Sequence, residues 1–147
     1  MENSRFQFLG YKVPEFSLEV KDNYISSLSL KNNLSVNIQK NFAKDNNRFV
    51  EVVLFIKLTN ENESLKLNLT IKGGFLADKE MPEELFEQTH TVSAPAVLYP
   101  YARAIISTCT AQAAIPQIIL PLMNFTSVAS ESQLSKSDEN DSGKLAE

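Results

Sequence analysis

Hydrophobic and polar residues alternate through the first half of the chain and fall at helical spacing in the second, so two kinds of element are expected in succession. Phe16, Leu18 and Val20 alternate with Glu15, Ser17 and Glu19, the period of two that a strand shows when one face is buried and the other wet. Leu34, Val36 and Ile38 alternate with Ser35, Asn37 and Gln39, and Lys44-Asp45-Asn46-Asn47 then supplies a turn. The third strand, Arg48 to Thr59, sets Val50, Val52, Leu54, Ile56 and Leu58 on one face while Phe49, Val53 and Phe55 populate the other, so both faces call for cover. After Asn60-Glu61-Asn62-Glu63, Leu65, Leu67, Leu69 and Ile71 alternate with Lys66, Asn68, Thr70 and Lys72 until Gly73-Gly74 break the pattern. The expectation is a four-stranded antiparallel meander, its last strand ending at a sheet edge where the glycine pair turns the chain.

In the second half the period changes. Met81-Pro82-Glu83-Glu84-Leu85-Phe86 reads as a short helical segment, with proline early and acids in the first turn where the helix dipole favours them. From Ala96 to Gln112, Leu98, Tyr101, Ala102, Ile105, Ile106 and Cys109 recur at helical spacing with few polar interruptions. A helix apolar over so wide an arc needs cover on more than its sheet side, from a second subunit or the occupant of a groove. Pro116 and Pro121 bracket an extended apolar stretch, Gln117 to Leu120, and Met123-Asn124-Phe125 closes the folded part. The fold class expected is α+β: a four-stranded antiparallel sheet packed against one long helix and a short helical segment.

Beyond Thr126 the composition turns to Ser, Asn and charge, with Glu131, Asp138, Glu139, Asp141 and Glu147 against Lys136 and Lys144. So few apolar residues cannot offset the entropy of ordering, which predicts a domain over residues 1–126 and a disordered acidic tail over 127–147. That tail carries most of the formal net charge of −4. At 147 residues, 43% hydrophobic and 22% charged, the chain fits one ordinary globular domain. Its negative balance offers no field to a polyanion, so nucleic acid is set aside as a partner. Met1-Glu2-Asn3-Ser4-Arg5-Phe6 has no apolar core of a secretory signal, and the longest apolar run, Ile118 to Met123, is far short of the ~18 residues of a span. A single cysteine fits a reducing compartment, and the expected location is the cytoplasm.

The residue inventory for catalysis is thin. Nucleophilic catalysis needs a base beside Ser or Cys, and the one imidazole, His90, falls in the polar string Thr89-His90-Thr91, read as a solvated loop. Cys109 lies among apolar residues and reads as a small buried hydrophobe; one Cys with one His cannot supply a zinc site. Gly73-Gly74 lacks the Lys and Ser/Thr of a phosphate loop, and Glu83, Glu84 and Glu87 read as a solvated helix face rather than a calcium site. No enzyme, cofactor or metal is expected. What remains is apolar: Phe6, Phe8, Phe42, Phe49, Phe55, Phe75, Phe86, Tyr99 and Phe125 exceed the needs of a two-layer core of this length. Most belong in the core, and the remainder would line grooves that hold extended peptide by burial, at about 25 cal/mol per Å² and with little sequence preference.

Ala94-Pro95-Ala96-Val97-Leu98-Tyr99-Pro100-Tyr101-Ala102-Arg103 resembles the signature that opens the long helix of the SecB export chaperones, and Pro116-Gln117 followed by Asn124-Phe125 resembles the second signature of that family at matching separation. Phe6-Gln7, Glu51-Val52-Val53-Leu54 and Gly73-Gly74 fall at corresponding places, so the resemblance runs over roughly residues 5 to 125. It implies a homotetramer built as a dimer of dimers, an ATP-independent holdase for unfolded precursor proteins, and delivery to the SecA motor ATPase. By position it implies Leu98, Tyr99 and Tyr101 at the oligomer interface and Phe42, Phe49 and Phe75 as groove lining; the apolar arc of the helix adds Ile105 to the expected interface, and the surplus of aromatics adds Phe55 and Phe125 to the expected groove. The resemblance also implies Glu15, Glu19 and Leu67 as contacts for the basic tail of SecA. The sequence departs from the family at Leu69, where a third acid is expected, at Pro121, displaced by one, and after Phe125, where an apolar helix gives way to the Ser/Glu-rich segment. Those departures suit a chaperone dedicated to one client, such as the antitoxin of a toxin–antitoxin system, which is the alternative to general export.

Overall fold

In the computed structural model, which describes residues 6–25, 31–45 and 48–128, the four strand segments join in one antiparallel sheet. β1 spans Phe6–Val20, β2 Asn32–Phe42, β3 Phe49–Asn60 and β4 Leu65–Ala77. The helical half comprises α1, Glu83–Gln88, a π-helical turn, Thr89–Ser93, and α2, Ala94–Gln112. The α+β class is as expected; the strand order is not a meander throughout. β2, β3 and β4 follow one another, but β1 pairs with β4, giving the order β1-β4-β3-β2 of a Greek key. Alternation assigns each strand a buried face and leaves its neighbour open. The neighbour is chosen by packing: Phe6 and Phe8 of β1 both stack on Phe75 of β4, with ring centroids 5.1 and 5.2 Å apart.

β1 reaches nine residues further toward the N-terminus than its alternating stretch. Its register against β4 shifts between Phe8 and Tyr11 and again between Lys12 and Glu15, with Gly10 at φ 110°, so the period of two is lost while the pairing continues. β4 likewise runs straight through Gly73-Gly74, which sit inside a central strand and not at a turn. Gly73 faces the helices, and a Cβ there would stand 2.6 Å from Leu98 Cδ2. The missing side chain is what lets α2 lie on the sheet.

The inner sheet face makes the core with α1, α2 and the chain that follows. Val50, Val52, Leu54, Ile56 and Leu58 of β3 and Leu65, Leu67, Leu69, Ile71 and Phe75 of β4 are buried there together with Phe86, Leu98, Tyr99, Ala102, Ile106, Leu120 and Phe125. The helical backbone is continuous from Glu83 to Gln112, where a loop through Thr89-His90-Thr91 was expected. Pro95 has no N–H to give the Thr91 carbonyl and its ring crowds that oxygen, so the turn widens: the Ala94 N–H bonds the Thr89 carbonyl, five residues back. α2 stops where Ala114 takes φ 60°, its N–H 3.2 Å from the Ala111 carbonyl, just before Pro116.

The extended stretch after α2 returns along the helix, held by a polar stripe at spacings of four, four and three. The Tyr99 hydroxyl donates to the Pro121 carbonyl at 2.6 Å, Arg103 Nε to the Leu120 carbonyl at 3.0 Å and Ser107 Oγ to the Ile118 carbonyl at 3.1 Å. Thr110 Oγ1 accepts the Ile118 N–H at 2.9 Å. A single helical turn at 125–128 follows, and from residue 129 the proposed acidic tail lies outside the described residues.

Candidate binding surfaces

The five phenylalanines read as groove lining do not converge. Phe75 and Phe125 are core residues, Phe125 with its ring edge-on to Tyr99 at 5.5 Å. Phe49 and Phe55 are half-buried on the outer sheet face, because direct cross-strand partners share a face and theirs are Leu76 and Thr70, outside the core row. Phe42, at the end of β2, is 50% exposed and packs against His90 and Phe86 on the helix side, at 5.1 and 6.4 Å. Counting aromatics in the sequence could not separate these because face assignment needs the register.

The residues read as an oligomer interface divide the same way. Leu98, against Gly73, and Tyr99, holding Pro121, are buried within the protomer and have no surface to offer a second copy. Tyr101 is 41% exposed and Ile105 half-buried, and with Val97, Ala104 and Thr108 they form an outward stripe of α2. Tyr101 lies against Tyr11 and Phe8 of β1, ring centroids 4.6 and 6.0 Å away. Leu9, Tyr11 and Val13 are exposed on β1, which is an edge strand. Tyr11 of the edge strand and the outward stripe of α2 therefore meet in one apolar surface, a feature the helical spacing hinted at and the β1 sequence did not.

On the outer face Glu15 and Glu19 are exposed, opposite Thr70 and Lys66 in the register. Leu67 and Leu69 are each 1% exposed on the inner face, so neither can meet a partner docked outside. The outer positions of β4 are Lys66, Asn68, Thr70 and Lys72. By register Lys12 and Lys57 share that face, as does Glu51, leaving four lysines among three carboxylates. A basic peptide meets no acidic patch here.

His90 is only 7% exposed, enclosed by the edges of Phe42 and Phe86 and lying in the π turn, contrary to the solvated loop expected of it. Burial, and then the nearby Lys40 ammonium, pull its pKa down to about 4. Lys40 Nζ donates to Thr91 Oγ1 at 3.0 Å, and that hydroxyl lies 3.4 Å from His90 Nδ1, an arrangement that suits a neutral ring. Because the unfolded chain binds the proton between pH 6.5 and 4 and the folded one does not, stability falls as pH drops through that window, at about 1.4 kcal/mol per unit for this one group. His90→Phe, which keeps an aromatic ring in the cage, is expected to flatten the pH dependence of urea unfolding between pH 6.5 and 4. Equal slopes for the two proteins would refute the assignment.

Cys109 is free and half-buried, less enclosed than expected. Among the described residues no group of three or more His, Cys, Asp or Glu could hold a metal ion, and no helix is long and apolar enough to cross a membrane.

Residues 2–136 match the family described as preprotein translocase subunit SecB. The protein-export protein SecB of Psychrobacter arcticus is 29% identical over 123 residues, covering 82% of this chain and 83% of the relative. That of Neorickettsia sennetsu is 40% identical over 60 residues, 41% of this chain and 37% of the relative. Among solved structures, a SecB-like chaperone of Mycobacterium tuberculosis, in complex with a peptide from an antitoxin, superposes with a TM-score of 0.66 at 16% identity, covering 82% of this chain and 88% of that one.

Proposed function

This chain belongs to the SecB family of chaperones, which are not enzymes, and from that premise we propose that it is an ATP-independent holdase that keeps client polypeptides extended in the cytoplasm. The observation that carries the reading is the amount of apolar surface left outside the core. Besides the β1 and α2 surface, Phe42 is half exposed, and on the strap after α2 Ile119 and Leu122 are 66% and 84% exposed. Exposed apolar surface on this scale marks a place for other polypeptide. Two uses divide it: Tyr101 and Ile105 with the β1 edge join copies of the chain into a tetramer, a dimer of dimers, and Phe42 with the strap side holds client.

Within the family, two kinds of client are in view. A general export holdase hands precursors to SecA, and a dedicated chaperone guards one antitoxin. The second is favoured by the outer sheet face, where Glu15 and Glu19 stand among lysines and Leu67 and Leu69 point inward, so a basic SecA tail finds little to bind. The test is suppression of aggregation of a chemically unfolded protein, without nucleotide, with native mass measured alongside. Protection at about one assembly per client is expected; no protection of any unfolded polypeptide would overturn the holdase reading. A basic zinc-bound SecA tail peptide is expected to bind weakly or not at all, and tight binding to the outer face would return the protein to general export.

A further inference from the structure

A shallow pocket of about 310 Å³ opens on the outer sheet face, lined by Leu9, Gly10, Tyr11 and Lys12 of β1, Phe49 and Glu51 of β3, and Lys72, Gly73 and Gly74 of β4. Three local features build it. Gly74 leaves bare backbone as the floor, with the Phe49 ring on one side and Leu9 on the other, 3.3 and 3.8 Å from where a Cβ would stand. β1 bulges at Gly10, which faces open space, and so draws the wall back. Lys12 and Lys72 are direct cross-strand partners, a like-charge pair that disfavours the sheet by itself. Among the described residues Lys72 has one carboxylate within reach, Glu51 at 3.9 Å, and Lys12 has none.

An apolar slot bordered by two cations and one anion is short of a carboxylate. We propose that this pocket binds an extended acidic segment of a partner polypeptide, a large apolar side chain lying over Gly74 and a carboxylate two residues away reaching Lys12 and Lys72. Residues two apart in an extended chain share a face, so one strand-like segment can place both groups. The proposal rests on the reading that the protein binds polypeptide and names the chemistry at one end of the outer face. It also gives a use to Lys12 and Lys72, two of the four lysines of that face.

The probe is a capped peptide with phenylalanine flanked two residues away on each side by glutamate, compared with the same peptide carrying lysine in place of glutamate. Amide shifts are followed in the ¹⁵N spectrum of the full-length protein, and affinity by anisotropy. The acidic peptide is expected to shift the amides of Leu9–Lys12 and Lys72–Gly74. Lys72→Glu or Lys12→Glu should weaken it at least tenfold, and Gly74→Val should abolish it. Shifts confined to the helix side, equal binding of the lysine peptide, or wild-type affinity in both lysine variants would each overturn the proposal. So would amides already displaced by the protein's own residues 129–147, revealed if neutralising Glu131, Asp138, Glu139 and Asp141 moves them. Aggregation suppression by Lys12→Glu separates the two readings: a holdase that ignores the peptide loses only the pocket, and a peptide binder that protects nothing loses only the chaperone function.

Discussion

Phe75→Ala is expected to cost about 3–5 kcal/mol of folding stability, the range for deleting a fully buried ring. Phe75 has no exposed surface, and the rings of Phe6 and Phe8 stack on it at 5.1 and 5.2 Å. Removing it would leave both rings facing a void and release the N-terminal half of β1, the strand whose place in the sheet depends on that stack. Urea unfolding at fixed protein concentration is the measurement, since coupling to assembly makes any midpoint concentration-dependent. If stability were unchanged while client binding was lost, Phe75 would be groove lining after all and the core described above would be wrong at its centre.

Ile105→Asp is expected to reduce the assembly to smaller species in multi-angle light scattering at micromolar concentration. A carboxylate on the outward stripe of α2 would have to be buried unpaired against a second copy, a cost of several kcal/mol that an interface does not absorb. Ile105 also touches the core, so Ala104→Glu, on the exposed part of the stripe, is the cleaner variant and should act alike without loss of the monomer fold. Tyr101→Ala removes an aromatic anchor that leans on Tyr11 and should weaken association less steeply. Unchanged mass in all three would remove α2 from the interface.

These expectations part company with the sequence signatures at residues 98 and 99. The signature groups Leu98, Tyr99 and Tyr101 as one motif, yet the helix turns about 100° per residue and assigns neighbours to different tasks. Leu98 packs against Gly73, the Tyr99 hydroxyl holds the Pro121 carbonyl, and Tyr101 faces outward. The signature thus encodes two contacts that fix the helix and strap, and a third left for a partner. Gly73 belongs to the same arrangement, being the residue whose lack of a side chain admits Leu98.

The sequence by itself determined most of the elements. Alternation located β2, β3 and β4, helical spacing located α2, and the two signatures with their separation marked the family, because each of these is carried by residues near one another in the chain. Only the tertiary structure decided what depends on distant partners. β1 lies beside β4 because Phe6 and Phe8 stack on a ring 67 or more residues away, a choice invisible in a local period. His90 is buried because Phe42, from β2, closes over it. Leu67 and Leu69 turn inward while Lys66 and Lys72 turn outward because β4 is held in register on both sides, and in a strand a shift of one residue exchanges its faces. Surface chemistry is therefore the last thing a sequence yields: which side chains share a face with which neighbours is fixed by pairing and packing across the whole sheet.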